Sequence, residues 1–444
     1  MPSGSTSHTG RLTELDAMRG IAAFTVVLSH AADDLRTQGG PIPGLLTLLD
    51  ATPLRALFNG RDAVIFFFVL SGLVLTRTLT SGTPPGFLVF AARRAVRLCV
   101  PAAAAVVLSA LLYQVFQNPE AGRDPGDWLV TAGWTRAPSV VDILRQSLLL
   151  CLDGGFQLDG VLWSLAHELR LSILLPFLAV AAMRWDPGGW ALPLCAGTML
   201  FGLEIGGHGM GETRFAGSPG ATMAMPVFYL LLPAALFLWI ARRLSLHRLV
   251  PPRATGSLLR RWGPGAGCFL LGTILGHRIG QGGGIMVGAS LTETLLATLY
   301  FAPCFALGAA MSMGVLAGFA VDPRQRIPCI AVGVLLLSYD NLFAIAAASF
   351  LLILAARQPG RLRATLRNAP FAFLGRISFS LYLVHVPLLL AMRHWLDGIL
   401  PHHAILLSWV VLSIPAACAL HRIAEEPARR LASGIGRRTI LATA

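Results

Sequence analysis

The stretch LDAMRGIAAFTVVLSH, Leu15 to His30, is long and apolar enough to form most of a membrane span, yet it carries Asp16, Arg19 and His30. Similar apolar stretches recur near 63–80, 98–117, 161–183, 190–206, 225–241, 265–280, 292–318, 327–338, 342–356, 374–396 and 404–421. Crossing ~30 Å of hydrocarbon takes about 20 helical residues. The 444-residue chain is 55% hydrophobic, has a mean hydropathy of +0.67 and is only 13% charged, roughly half the charge of a soluble domain. These features predict an all-α fold, a polytopic transmembrane helical bundle of about ten to twelve spans.

The net charge of +13 would point a soluble chain toward nucleic acid. Here all 35 basic residues are arginine, and 20 of them gather in loops at 93–97, 242–261, 324–326, 357–367 and 422–438. The alternate loops, near 33–50, 118–127 and 204–214, hold mixed charge. That asymmetry is topology: both termini are expected in the cytoplasm, with membrane lipid and no nucleic acid as partner. Residues 1–430 read as one integral-membrane domain and 431–444 as a basic cytoplasmic tail. DILRQSLLLCL, residues 142–152, is expected to lie in the membrane or re-enter it.

The absence of lysine excludes Schiff-base, pyridoxal and phosphate-loop lysine chemistry. The seven cysteines (Cys99, Cys151, Cys195, Cys268, Cys304, Cys329 and Cys418) show no Cys-x-x-Cys spacing. They read as small buried apolar residues, with neither a disulfide framework nor a metal site. The polar start MPSGSTSHTGR precedes a charged apolar run without a small-residue cleavage site, so no removable signal peptide is expected.

Helix geometry places the charges of the first span. Arg19 and His30 are eleven residues apart, three turns plus about 20°, so both point to one face roughly 16 Å apart along the axis. Asp16 falls within about 40° of that face. The stripe reads as an Asp16–Arg19 ion pair at the inner end and an imidazole toward the outer end. Snorkelling to the interface and an interhelical hydrogen bond are the structural alternatives; catalysis needs them to face a wet interior.

Four further segments carry chemistry. VIFFFVLSGLVL puts Ser71 and Gly72 near mid-membrane, where serine is packing glue unless a base stands beside it. RRAVRL supplies Arg93, Arg94 and Arg97, either positive-inside anchors or, since Arg94 and Arg97 share a face, forks suited to phosphate. LWSLAHELRL places Glu168 five residues past Trp163, at the depth of His30, where a His30–Glu168 contact would offset the cost of burying both. In LGRISFSLYLVHVPLLL, Ser378, Tyr382 and His385 follow i, i+4, i+7 spacing and line one interior face, with interhelical bonding as the bland alternative.

In order, RLTELDAMRGIAAFTVVLSH, VIFFFVLSGLVL, RRAVRLCVP, LWSLAHELRLSILLPFL, FALGAAM, LGRISFSLYLVHVPLLL and AEEPARR resemble the integral-membrane acyltransferase family 3, across residues 11–430. The resemblance implies an enzyme of the inner or plasma membrane with no permanently bound cofactor. Acyl-CoA, often acetyl-CoA, would be the cytoplasmic donor, and a hydroxyl of a glycan or secondary metabolite the acceptor. It further implies a catalytic His30, an essential Arg19 and acyl-CoA contacts from the basic motif, and it matches Glu168 to the carboxylate of the Trp-Ser-Leu block. Arg170 and Leu171 replace the family's usual aromatic pair, Pro101 comes one residue late, and the segments around 225–280 read as an added pair of spans. Some relatives carry a fused extracytoplasmic domain; without one, this chain is expected to act alone or hand the acyl group to a partner transferase.

The expected mechanism has Arg94 and Arg97 on the CoA phosphates and His30, oriented by Glu168 or Asp34, as general base on the acceptor hydroxyl. Arg19, paired with Asp16, holds the donor or stabilises developing charge. A secondary transporter using the same charges as a relay is the alternative. It predicts paired broken spans in two repeated halves, and GHRIGQGGG at 276–284 has no counterpart. A non-catalytic scaffold leaves the polar stripe unexplained.

Overall fold

The computed structural model describes residues 12–36, 44, 52–80, 85–117, 133–151, 155–185, 191–208, 258–280, 291–313, 323, 326–337, 339 and 341–435. Within them every regular element is a helix, the form in which a bilayer segment satisfies its own backbone hydrogen bonds. In chain order they are α1 (Thr13–Arg36), α2 (Gly60–Thr80), α3 (Phe87–Phe116), α4 (Val140–Ser147), α5 (Leu162–Trp185), α6 (Ala191–His208) and α7 (Leu258–Gly280). Then follow α8 (Leu291–Ala310), α9 (Arg326–Leu336), α10 (Leu342–Arg357), α11 (Arg361–Leu366), α12 (Ala369–Leu396), α13 (His402–Leu420) and α14 (Glu426–Gly434), the last two joined by a π-turn at His421–Glu425.

Every apolar stretch expected from the sequence overlaps a helix where residues are described; the one near 225–241 lies outside them. Five described helical runs are long and apolar enough to cross a membrane: Gly60–Thr80, Phe87–Phe116, Leu162–Val180, Ala369–Leu396 and His402–Gly434. Four apolar helices are shorter: Leu192–Gly206, Thr294–Ala310, Arg326–Leu336 and Leu342–Arg357. Among the described residues, five helices thus qualify on length and composition, fewer than the ten to twelve spans expected. α1 has 24 residues, about 36 Å of helix, and its ionisable side chains keep it off that tally.

The bundle is apolar on its outer face as well as in its core. Val107, Leu111 and Val115 on α3, and Leu407 and Val411 on α13, face outward, whereas Asp34, Ser71, Arg94, Glu168, His385 and Arg393 are buried. Lipid solvates the first set, and the second must find partners inside. Helix α4, from the DILRQSLLLCL piece, is only eight residues long and begins at a capping box formed by Ser139 and Asp142. It exposes Val140, Val141 and Leu144 while burying Gln146, and it is too short to span.

Two glycine crossings set the centre of the bundle. A Cβ on Gly20 of α1 would stand 2.5 Å from the backbone nitrogen of Gly375 on α12. Gly72 on α2 and Gly308 on α8 meet the facing backbone just as closely. Small residues let helices approach where no hydrophobic effect drives them together. Because α1 and α12 touch at Gly20 and Gly375, Arg19 and the Ser378–His385 face are held beside one another.

Candidate functional site

A cavity of about 500 Å³ opens at the Thr13 end of α1. Seven arginines wall it (Arg19, Arg77, Arg94, Arg97, Arg357, Arg376 and Arg429) against three carboxylates, Asp16, Glu168 and Glu425. A second, smaller cavity continues inward between Val64, Phe67, Phe68, Ser164, Leu165 and Tyr382. Both share Arg19, Glu168, Ser378 and Phe379, which therefore form the neck. The path runs from a cationic mouth to an apolar end carrying two hydroxyls.

The neck contains a buried ion pair. Arg94 of α3 binds the Glu168 carboxylate of α5, Ser71 of α2 donates to the same oxygen at 2.6 Å, and Arg94 Nε donates to Ser172 Oγ at 3.1 Å. Ser71 is thus the glue that anchors Glu168, joining three helices. Arg19 lines the neck beside this pair and, among the described residues, makes no ion pair or hydrogen bond of its own. The expected Asp16–Arg19 pair is not formed: both side chains line the mouth, and Arg19 alone of the two reaches the neck. The expected His30–Glu168 contact is not formed either: Glu168 lies at the neck with Arg19 rather than at the depth of His30, and Arg94 and Ser71 hold it there.

His30 meets another imidazole. Its ring stacks on His385 of α12 with centroids 5.3 Å apart and planes 26° from parallel. His385 is fully buried; its Nδ1 lies 3.0 Å from the Leu381 carbonyl, and Trp409 Nε1 donates to its own carbonyl at 2.7 Å. Tyr382, one turn toward the cavity, has its ring 5.9 Å from that of His385. The cavity ends at Tyr382, and the paired imidazoles lie one helical turn beyond. Asp34 binds Arg393 of α12 and lies 2.9 Å from His402 Nε2 of α13, a buried cluster that ties the far end of α1 to both helices.

The remaining expected site residues divide by what they touch. Ser378 and Tyr382 line the path. Trp163 packs on His167 and Phe301 instead, and His167 Nδ1 sits 2.8 Å from Thr298 Oγ1. In the basic motif, Arg93 donates twice to the Ile435 carbonyl, at 3.0 and 2.7 Å, pinning the chain after α14. Arg94 is spent on Glu168, so only Arg97 of the three is open in the mouth. The expectation that Arg94 and Arg97 together grip phosphate is corrected on this point.

Sequence reasoning did not single out Arg77, Arg357, Arg376, Arg429 or Glu425. The arginines were legible as interfacial charges, but which of them converge depends on helix packing. Glu425 owes its place to the π-turn, whose widened backbone re-aims one residue. There its carboxylate accepts from Ser380 Oγ at 2.7 Å and lies 2.9 Å from His421 Nδ1.

A sequence profile described as an acyltransferase domain matches residues 12–422. Comparison with curated proteins and with solved structures gives no significant match. With nearly the whole helical bundle inside the match, the chain belongs to the integral-membrane acyltransferase family 3.

Proposed function

We propose that this membrane acyltransferase takes its acyl group from acyl-CoA in the cytoplasm and delivers it to a hydroxyl of a glycan or secondary metabolite across the inner or plasma membrane. The Thr13 end of α1 and both termini are then cytoplasmic, in keeping with the arginine distribution. The observation that carries the reading is the cavity itself, an arginine-walled mouth that narrows past Arg19 to Tyr382, one helical turn short of the His30–His385 pair. Guanidinium groups suit the phosphates of CoA, and the apolar end suits the acyl arm.

Length supports it. Arg19 and His30 lie roughly 16 Å apart along α1. A pantetheine arm runs about thirteen bonds from phosphate to sulfur, equivalent to some four residues of extended backbone or roughly 15 Å. With its inner phosphate on Arg19, the thioester reaches the level of Tyr382 and the imidazoles. The same distance removes Arg19 from charge stabilisation at the reacting carbon, so its role is to hold the donor. His30 takes the acceptor's proton as general base, Glu168 and Ser71 position Arg94, and Asp16 lowers the positive charge of the mouth.

CoA titrated into the purified chain in detergent should bind, and binding should weaken as salt rises. Acetyl-pantetheine, which keeps the thioester arm without the nucleotide phosphates, should bind far less well. Equal binding of the two would remove the arginine mouth from the reading.

A further inference from the structure

At the inner end of the path, Tyr382 Oη and Ser164 Oγ are 2.7 Å apart, and both line the cavity. Each also lies within reach of the Val161 carbonyl, Tyr382 at 3.3 Å and Ser164 at 3.1 Å. One carbonyl oxygen therefore already occupies a point at which both hydroxyls can aim. Beyond the neck of Arg19, Glu168, Ser378 and Phe379, the rest of the wall is Val64, Phe67, Phe68 and Leu165, an apolar surround in which a hydroxyl dipole acts on developing charge with less screening than in water.

We propose that Tyr382 is the oxyanion donor of the acyl transfer, with Ser164 as its positioning residue. The proposal rests on the acyl-donor reading above. When the thioester fills the cavity, Ser164 donates to Tyr382 Oη, and the Tyr382 hydroxyl turns from Val161 to the thioester carbonyl oxygen. The acceptor hydroxyl attacks the carbonyl carbon and yields its proton to His30. The π pair moves onto oxygen, where Tyr382 donates a hydrogen bond. Collapse re-forms the carbonyl, breaks the C–S bond and releases thiolate, which takes the proton from His30. Ester and CoA thiol are the products, and Tyr382 keeps its proton throughout. A hydroxyl already receiving a hydrogen bond is the stronger donor, which is what Ser164 supplies.

Tyr382→Phe deletes one oxygen and keeps the ring that packs edge-on against Phe67 at 5.9 Å. Acetyl-CoA cleavage by the purified full chain in detergent, with glycerol as hydroxyl acceptor, reads the effect. Loss of one oxyanion donor is expected to lower kcat by roughly 10²- to 10³-fold, with KM for acetyl-CoA within about twofold of wild type, since the contact forms in the transition state. Ser164→Ala should cost about tenfold, and Y382F/S164A should be no slower than Y382F, because Ser164 acts only through Tyr382. A Y382F protein whose kcat stays within about threefold of wild type overturns the assignment, as does a loss confined to KM. Multiplying losses in the double variant overturn the role of Ser164. Wild-type protein that binds no CoA and cleaves no acetyl-CoA overturns the donor reading and this proposal together, whereas wild-type cleavage with an undiminished Y382F sinks only the latter.

Discussion

Replacing Glu168 by glutamine keeps its shape and removes its charge, which leaves Arg94 with no carboxylate at the neck and Arg19 beside it. The side chains of Arg94 and Glu168 are only 8% and 11% exposed, so solvent does not take over the lost charge. Breaking one side of such a buried pair costs about 3 to 5 kcal/mol. Globular proteins gain roughly 2.1 cal/mol/K of unfolding entropy per residue, about 0.9 kcal/mol/K for a chain of this size. The apparent melting midpoint of E168Q in detergent should accordingly fall by about 3 to 5 °C. Arg94→Met should fall similarly, whereas Arg94→Met combined with Glu168→Leu should sit near wild type, because an apolar pair needs no compensating charge. Midpoints from intrinsic fluorescence of the four proteins close the cycle. If E168Q melts within about 1 °C of wild type, or if the double variant loses the sum of the singles, the neck is not organised around this ion pair.

Three further outcomes follow from the geometry. Arg97→Ala should raise KM for acyl-CoA by about tenfold, the worth of one charge-assisted contact, with little change in kcat. Arg93→Ala should leave KM alone and instead speed protease cleavage after α14, because Arg93 holds the Ile435 carbonyl; equal KM effects would contradict this division. Gly20→Leu should abolish activity by driving α1 from α12, given the 2.5 Å approach at Gly375, and full activity would mean the two helices are not in contact there. Outside the spans, Arg136, which reaches Asp142 at 2.8 and 2.9 Å, holds that carboxyl below its ordinary range, with help from Ser139. A lowered folded value stabilises above the ordinary carboxylate pKa of about 4 and ceases to as pH falls through the folded value. Amide protection at the start of α4 should therefore drop in acid, and D142N should flatten that dependence; a wild type with no acid-induced loss would refute the cap.

Much of this was legible in the sequence, for reasons that differ by element. Apolar runs announced helices because a bilayer leaves the backbone few other choices, and the spacing of Arg19 and His30 fixed one face of α1 whatever the neighbours. The pairing of that face was not legible. Counting residues from the loops puts Glu168 at the depth of His30, but it lies at the neck with Arg19, and Gly20 against Gly375 turns α1 toward α12. His385 therefore takes the place beside His30, while Glu168 goes to Arg94. Likewise Arg93, Arg94 and Arg97 read as one basic motif, yet about 100° per residue sends them to a backbone cap, a buried carboxylate and the open mouth. The 225–241 stretch lies outside the described residues.

The most direct test of the account compares two properties of His30→Ala in the same preparation: affinity for CoA by titration and acetyl transfer from acetyl-CoA. The arginine mouth and the imidazole are separate sites roughly 16 Å apart. CoA affinity should thus stay within about twofold while transfer falls by 10²-fold or more, the range of a lost general base. Transfer that survives the substitution, in a protein that still binds CoA, would contradict the placement of the chemistry at His30.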